Sequence, residues 1–221
     1  MKPHLSYLHG FASGPGSTKA QFFRARLAEL GVKIEIPELA PDFRRMTIGS
    51  QLSVVEELLE QSPAILLGSS LGGYVAALAA ERHPDSVVGL VLFAPAFGFL
   101  DRWQSRLGPD AMARWRADDE LRVFHYGKGR EEPLSIALID DAKLYPSQPD
   151  PPCPTLIFAG RRDDAVPVDA VERFAGARAG RELVVLDAGH ELTEVLDPMW
   201  QLTRGFLAAL GAAPPSSRRG F

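Results

Sequence analysis

Ser70 stands in Gly68-Ser69-Ser70-Leu71-Gly72, with a glycine two residues to either side. That spacing matches the nucleophile-elbow pattern, in which a sharp strand-to-helix turn lifts a serine hydroxyl clear of the backbone. Residues at the flanking positions must lack bulk because the chain segments approach closely there. Ser69 has no glycines at those offsets, which leaves Ser70 as the candidate nucleophile. A serine hydroxyl is weakly nucleophilic and requires a base within hydrogen-bond reach. Of the five histidines, His4 sits in an apolar strand. His83 ends a helix before Pro84, a favourable place for a cation against the helix dipole. His125 falls in a stretch without strand rhythm. His190 sits in a loop after a core strand, where catalytic groups collect in open parallel sheets. A carboxylate must orient that imidazole and stabilise its protonated form. Asp163 and Asp164 both follow a core strand and compete for the role.

Elements must hold these groups in place. Residues 64–67 are an apolar run that reads as a buried strand, and the alanine-rich segment after Ser70 reads as a buried helix. Because Ser70 opens that helix, the Leu71 N–H is left unpaired and can face a developing oxyanion. Residues 5–8 form a first strand, followed by His9-Gly10-Phe11 and a loop rich in Gly, Ser and Pro. Lys19 is displaced from the position a phosphate-binding loop requires. Thr18 and Gln21 have capping-box spacing at the start of a helix that Gly31 closes. Residues 32–36 alternate apolar and charged side chains and predict a half-exposed strand at a sheet edge. A helix over 47–61 and strands over 87–94, 155–159 and 182–186 continue the rhythm, and a last helix starts at Pro198. This alternation predicts an α/β protein with a mostly parallel sheet of about six strands and helices on both faces.

The rhythm lapses over residues 97–152, which return to the core through a proline-rich linker. We expect a mostly helical cap insertion there, over one end of the sheet, with residues 1–96 and 153–211 forming the core. Phe97, Phe99, Trp103, Trp115, Phe124 and Tyr126 would line an apolar acyl pocket. The tail, residues 212–221, is expected to be disordered.

Composition narrows the function classes. A net charge of −4 over 221 residues gives no reason to expect nucleic acid or an anionic membrane as partner. The single Cys153 allows neither a disulfide framework nor a cysteine metal site. No apolar run approaches the ~18 residues a bilayer span needs, and the first residues show no signal-peptide pattern. A soluble cytoplasmic protein needing no metal or cofactor is expected, with a small acyl or ester substrate as its partner.

Strand-Gly-x-Ser-x-Gly-helix, strand-Gly-x-x-Asp-x-x-Val-Pro and strand-x-Gly-His follow one another in the order Ser…Asp…His, and in this the chain resembles the α/β-hydrolase superfamily. The match spans nearly everything but the insertion and tail, and looks most like the small bacterial serine esterases and acyl hydrolases. The resemblance implies a Ser70–His190–Asp163 triad, a second oxyanion donor at the Phe11 N–H, and a bracing role for His9. It implies hydrolysis of small carboxylic esters. Thioester hydrolysis, acyl transfer and perhydrolysis would use the same parts, and a non-catalytic binding protein on this fold is the alternative class. Glu191 and Glu194 lie unusually close to the histidine.

Overall fold

The computed structural model describes residues 2–60 and 62–215. In chain order the elements are β1 (His4–Leu8), α1 (Thr18–Ala28), α2 (Ile48–Leu59), β2 (Ala64–Ser69), α3 (Leu71–Arg82), β3 (Val87–Phe93), α4 (Phe99–Asp118), β4 (Leu121–His125), β5 (Arg130–Leu134), α5 (Ala137–Ala142), β6 (Thr155–Gly160), α6 (Val168–Gly176), β7 (Arg181–Leu186) and α7 (Leu196–Ala209). The main sheet has the order β1-β2-β3-β6-β7, with every pairing parallel.

The apolar strands follow from burial on both faces. Side chains alternate along each strand, so Leu8, Leu66, Leu90, Leu92 and Ile157 share one core with buried residues of α2, α3 and α6. Tyr7, Ile65, Leu67, Val91, Phe93 and Phe158 share the other with α1 and α7.

Among the described residues the main sheet has five strands, one fewer than the alternation suggested. Residues 32–36 meet β1 at a single bridge, Ser6–Glu35. There the Glu35 N–H donates to Leu5 (2.8 Å) and the Tyr7 N–H donates to Glu35 (2.7 Å). The next ladder bond would need an N–H on residue 37, which is proline and has none.

Helix starts differ in their chemistry. Thr47 and Ser50 form a reciprocal capping box on α2. The capping box expected at Thr18 and Gln21 is absent, because α1 begins one residue earlier with Ser17 at the cap. The Gln21 amide instead donates to the Pro15 carbonyl (2.7 Å).

The insertion is less helical than expected. β4 and β5 pair as an antiparallel hairpin, from Leu121 opposite Leu134 to His125 opposite Arg130. Alternating exposure along β4 and the glycine-rich turn Tyr126-Gly127-Lys128-Gly129 are the local cause. α4 is broken at Gly108, whose φ of 74° is unsuited to a helix, and Pro109 opens its second half. The tail also departs from expectation at its start. Ala212 and Ala213 are buried, and their N–H groups donate to the Leu207 carbonyl (2.9 and 3.3 Å). Residues 216–221 of the expected tail lie outside the described residues. Among the described residues, no helix is long and apolar enough to cross a membrane.

Candidate active site

β2 ends at Ser69 and α3 begins at Leu71, leaving Ser70 alone in the turn with φ 51° and ψ −117°. A non-glycine residue in this region is strained. It is held there by its own N–H donating to Phe93 (2.9 Å) and by its carbonyl accepting from Ala96, Gly73 and Tyr74. The flanking glycines are required sterically. A Cβ at Gly68 would stand 2.6 Å from the Gly72 carbonyl oxygen, and one at Gly72 would collide with the carbonyls of Leu8 and His9. The second glycine therefore lets the end of β1 and the loop after it lie against the turn.

His190 follows β7 and Asp163 follows β6, so both loops leave the same end of the sheet as Ser70. His190 Nε2 lies 3.0 Å from Ser70 Oγ, and its Nδ1 lies 2.8 Å from Asp163 Oδ2. Asp163 Oδ1 accepts from the Ala165 and Val166 N–H groups at 2.8 and 2.7 Å. Its side chain is 1% exposed. Burial pushes the Asp163 carboxyl upward, but the bonds from His190, Val166 and Ala165 outweigh it and hold the group below its ordinary value. Asp164, its rival by position, is exposed. With an ionised carboxylate at Nδ1, that nitrogen carries the proton and Nε2 is the acceptor facing Ser70.

The loop carrying Phe11 presses on the elbow, since a Cβ at Gly10 would lie 3.4 Å from Ser70 Cβ. Among the described residues, neither the Phe11 nor the Leu71 N–H has a hydrogen-bond acceptor. His9 Nδ1 donates to the Gly10 carbonyl (3.0 Å), and its Nε2 accepts from the Leu39 N–H (3.2 Å). The imidazole thus ties the loop to the segment beside it.

A cleft of about 1210 Å³ opens over Ser70 and His190, between the sheet's end and the insertion, and Phe11, Trp103, Leu107, Phe124 and Tyr126 line it. Three aromatics expected there face elsewhere. Phe97 is buried against Phe174, with ring centroids 4.2 Å apart, and Phe99 packs on Tyr74 at 5.6 Å. Trp115 is 1% exposed, and its indole donates to the Leu134 carbonyl (2.8 Å). They fasten the insertion to the core and to itself, where a large apolar ring stabilises most.

Lys19 and Glu38 also line the cleft and were not foreseen as site residues. Glu38 Oε1 lies 3.2 Å from His9 Nε2 and accepts from the Ala40 N–H at 3.0 Å. Neither Lys19, in the first turn of α1, nor Glu38, in the segment before α2, carries a sequence signature of a site. Of the two acids near His190, Glu194 accepts from the Gly189 N–H (3.3 Å). Glu191 contributes its main-chain carbonyl, which accepts from the Lys19 ammonium.

A family model described as an uncharacterised protein family, UPF0227, matches residues 4–207. Among solved structures, a protein from Agrobacterium vitis S4 described as a "putative hydrolase" superposes with a TM-score of 0.81 at 24% identity, covering 92% of this chain and 87% of that one. Est1E from Butyrivibrio proteoclasticus with ferulic acid bound gives 0.81 at 20% identity, covering 95% and 90%. Alpha/beta hydrolase domain-containing protein 10 from mouse gives 0.78 at 20% identity, covering 96% and 90%. At these identities the likeness is one of fold.

Proposed function

From a chain that belongs to the uncharacterised protein family UPF0227 and folds as an α/β-hydrolase, we infer a serine hydrolase that cleaves carboxylic esters through an acyl-enzyme. The observation that carries this reading is His190 bridging Ser70 and Asp163, at 3.0 and 2.8 Å. Ser70 Oγ attacks the ester carbonyl while His190 Nε2 takes its proton. Asp163 keeps the Nδ1–H tautomer and balances the imidazolium. The oxyanion accepts from the Phe11 and Leu71 N–H groups. When the tetrahedral species collapses, His190 returns the proton to the leaving alcohol. Water then attacks the acyl-enzyme by the same route, releasing the acid and free Ser70. The reaction asks nothing of a metal or cofactor.

The cleft supports an acyl or alcohol group with a flat apolar surface. Phe11 and Trp103 meet edge to face at 5.0 Å, Phe124 and Tyr126 do so at 5.3 Å, and Est1E holds ferulic acid on the same fold. We therefore favour aromatic or similarly bulky esters. A cytoplasmic enzyme acting on a small molecule completes the reading. The lone Cys153 is buried, and desolvation pushes its thiol up to about 11, as suits a reduced and unreactive cysteine.

A fluorophosphonate probe and a panel of chromogenic esters test the proposal. Wild-type protein should be labelled on Ser70 and turn esters over, and Ser70→Ala should lose both, with kcat falling about 10⁴-fold or more. Near-normal turnover in Ser70→Ala would eliminate the mechanism.

A further inference from the structure

The loop after β7 that carries His190 has few main-chain ties of its own. Ala188 bonds to Leu186 and to Arg162, and Leu192 reaches back to Gly189 at 3.3 Å. Leu192 itself has a φ of 53°, a left-handed conformation that a leucine adopts at a cost. A loop strained in this way needs something outside it to hold its shape. Lys19 supplies that hold. It is the second residue of α1 and only 6% exposed. Its ammonium donates to the main-chain carbonyl of Glu191, the residue next to His190.

A buried ammonium is costly unless its surroundings compensate for the lost hydration. The charged groups facing this one are Glu191 and Glu194 from the His190 loop and Asp163 from the loop after β6. Beside them, the buried Tyr7 phenol of β1 feels the Glu191 charge. Lys19 thus sits where the acids around the imidazole balance its charge, and its hydrogen bond ends on the residue next to His190.

We propose that Lys19 is a positioning residue, whose ammonium fixes the Glu191 carbonyl and thereby holds the His190 imidazole against Ser70 for proton transfer. The inference rests on the serine-hydrolase reading above. It has a consequence for pH. Burial pulls the Lys19 amine down to about 8, with Glu191, Asp163 and Glu194 pulling the other way. A charged donor bonds more strongly than a neutral one, so the anchor weakens as pH rises through about 8.

The test is steady-state hydrolysis of a chromogenic ester over about pH 6 to 10 by wild type, Lys19→Met and Lys19→Gln. Circular dichroism confirms folding, and fluorophosphonate labelling of Ser70 runs in parallel. Lys19→Met keeps an unbranched side chain only one heavy atom shorter and removes the donor. Its kcat should fall by roughly 10- to 100-fold, the scale of an ångström's misplacement. Its KM should stay within about threefold. Wild type should show a descending kcat limb near pH 8 that both variants lack. A kcat within twofold of wild type in folded Lys19→Met, or the same descending limb in a variant, overturns the proposal. Should neither variant fold, a flat kcat through pH 8 in folded wild type overturns it equally. Labelled, active wild type with turnover indifferent to Lys19 defeats this inference alone, whereas wild type that neither labels nor turns over defeats the hydrolase reading and this inference with it.

Discussion

Ser70 holds φ 51° and ψ −117°, the combination that glycine adopts at the first central position of a type II′ turn. For serine this costs about 1–3 kcal/mol. Ser70→Gly should therefore raise stability by about 1 kcal/mol net of glycine's extra chain entropy, while abolishing turnover. Urea unfolding checks this, and an unchanged or lower midpoint would show that the turn is not strained. The two aspartates make a second pair. Asn at 163 should cost about 10⁴-fold in kcat, because the imidazole loses its tautomer partner. Asn at 164 should cost less than about threefold, since that side chain is exposed. A larger loss at 164 would reverse the assignment. The pH dependence of stability follows from the sign of the Asp163 shift. Its folded pKa is lowered from 3.8, so its contribution is complete above that value and is lost as pH falls below it. Asp163→Asn should flatten the acid side of a stability profile below about pH 4.

Two tryptophans of α4 have different environments because the helix is broken between them at Gly108. Trp103, on the first half, borders the cleft. Trp115, on the second, is buried and bonds the end of β5 through the Leu134 carbonyl. Trp115→Phe should leave that carbonyl unpaired and a small void, lowering stability by about 1–3 kcal/mol with ester KM nearly unchanged. Trp103→Ala should raise KM for bulky esters by roughly tenfold, the worth of about 1.4 kcal/mol of lost contact. Kinetics and thermal melts on both variants decide it. A KM effect at Trp115 matching that at Trp103 would return Trp115 to the cleft.

At the scale of the whole molecule, the insertion departs and returns at one clamp. Arg181 at the start of β7 has a side chain only 1% exposed. It lies 4.0 Å over the Phe174 ring, which stacks on Phe97 where the insertion begins. Its guanidinium also donates to Asp150 Oδ1 (2.5 Å) and the Pro151 carbonyl (2.9 Å), where the insertion ends. Arg181→Met should destabilise the protein by about 1–3 kcal/mol, because the part-buried carbonyls of Phe174 and Pro151 lose their donor. Bonds from Arg178 and Arg181 hold Asp150 at about 2 despite some desolvation. Its contribution is therefore present above its ordinary value of 3.8 and is lost as pH falls toward 2. Wild type should lose stability over that window more steeply than Arg178→Ala, and parallel profiles would show that the Arg178–Asp150 bonds do not lower the carboxyl.

The sequence by itself determined the strand, the elbow at Ser70 and the helix after it, because two glycines and an apolar run act over a few residues of chain. The parallel core was legible for the same reason, and the edge segment was misread only because the donor missing at Pro37 ends a ladder that alternation alone predicts. The hairpin β4–β5 was present as a two-residue alternation ending in a glycine-rich turn, but arginines and acids masked it. Tertiary structure decided which aspartate turns toward His190 and which aromatics border the cleft. It also decided that Lys19, which stands off the position a phosphate-binding loop requires, reaches the loop behind the imidazole. These outcomes depend on where side chains point once segments up to 172 residues apart have met. A local pattern sets the face on which a residue emerges, but only the packed neighbours set what that face meets.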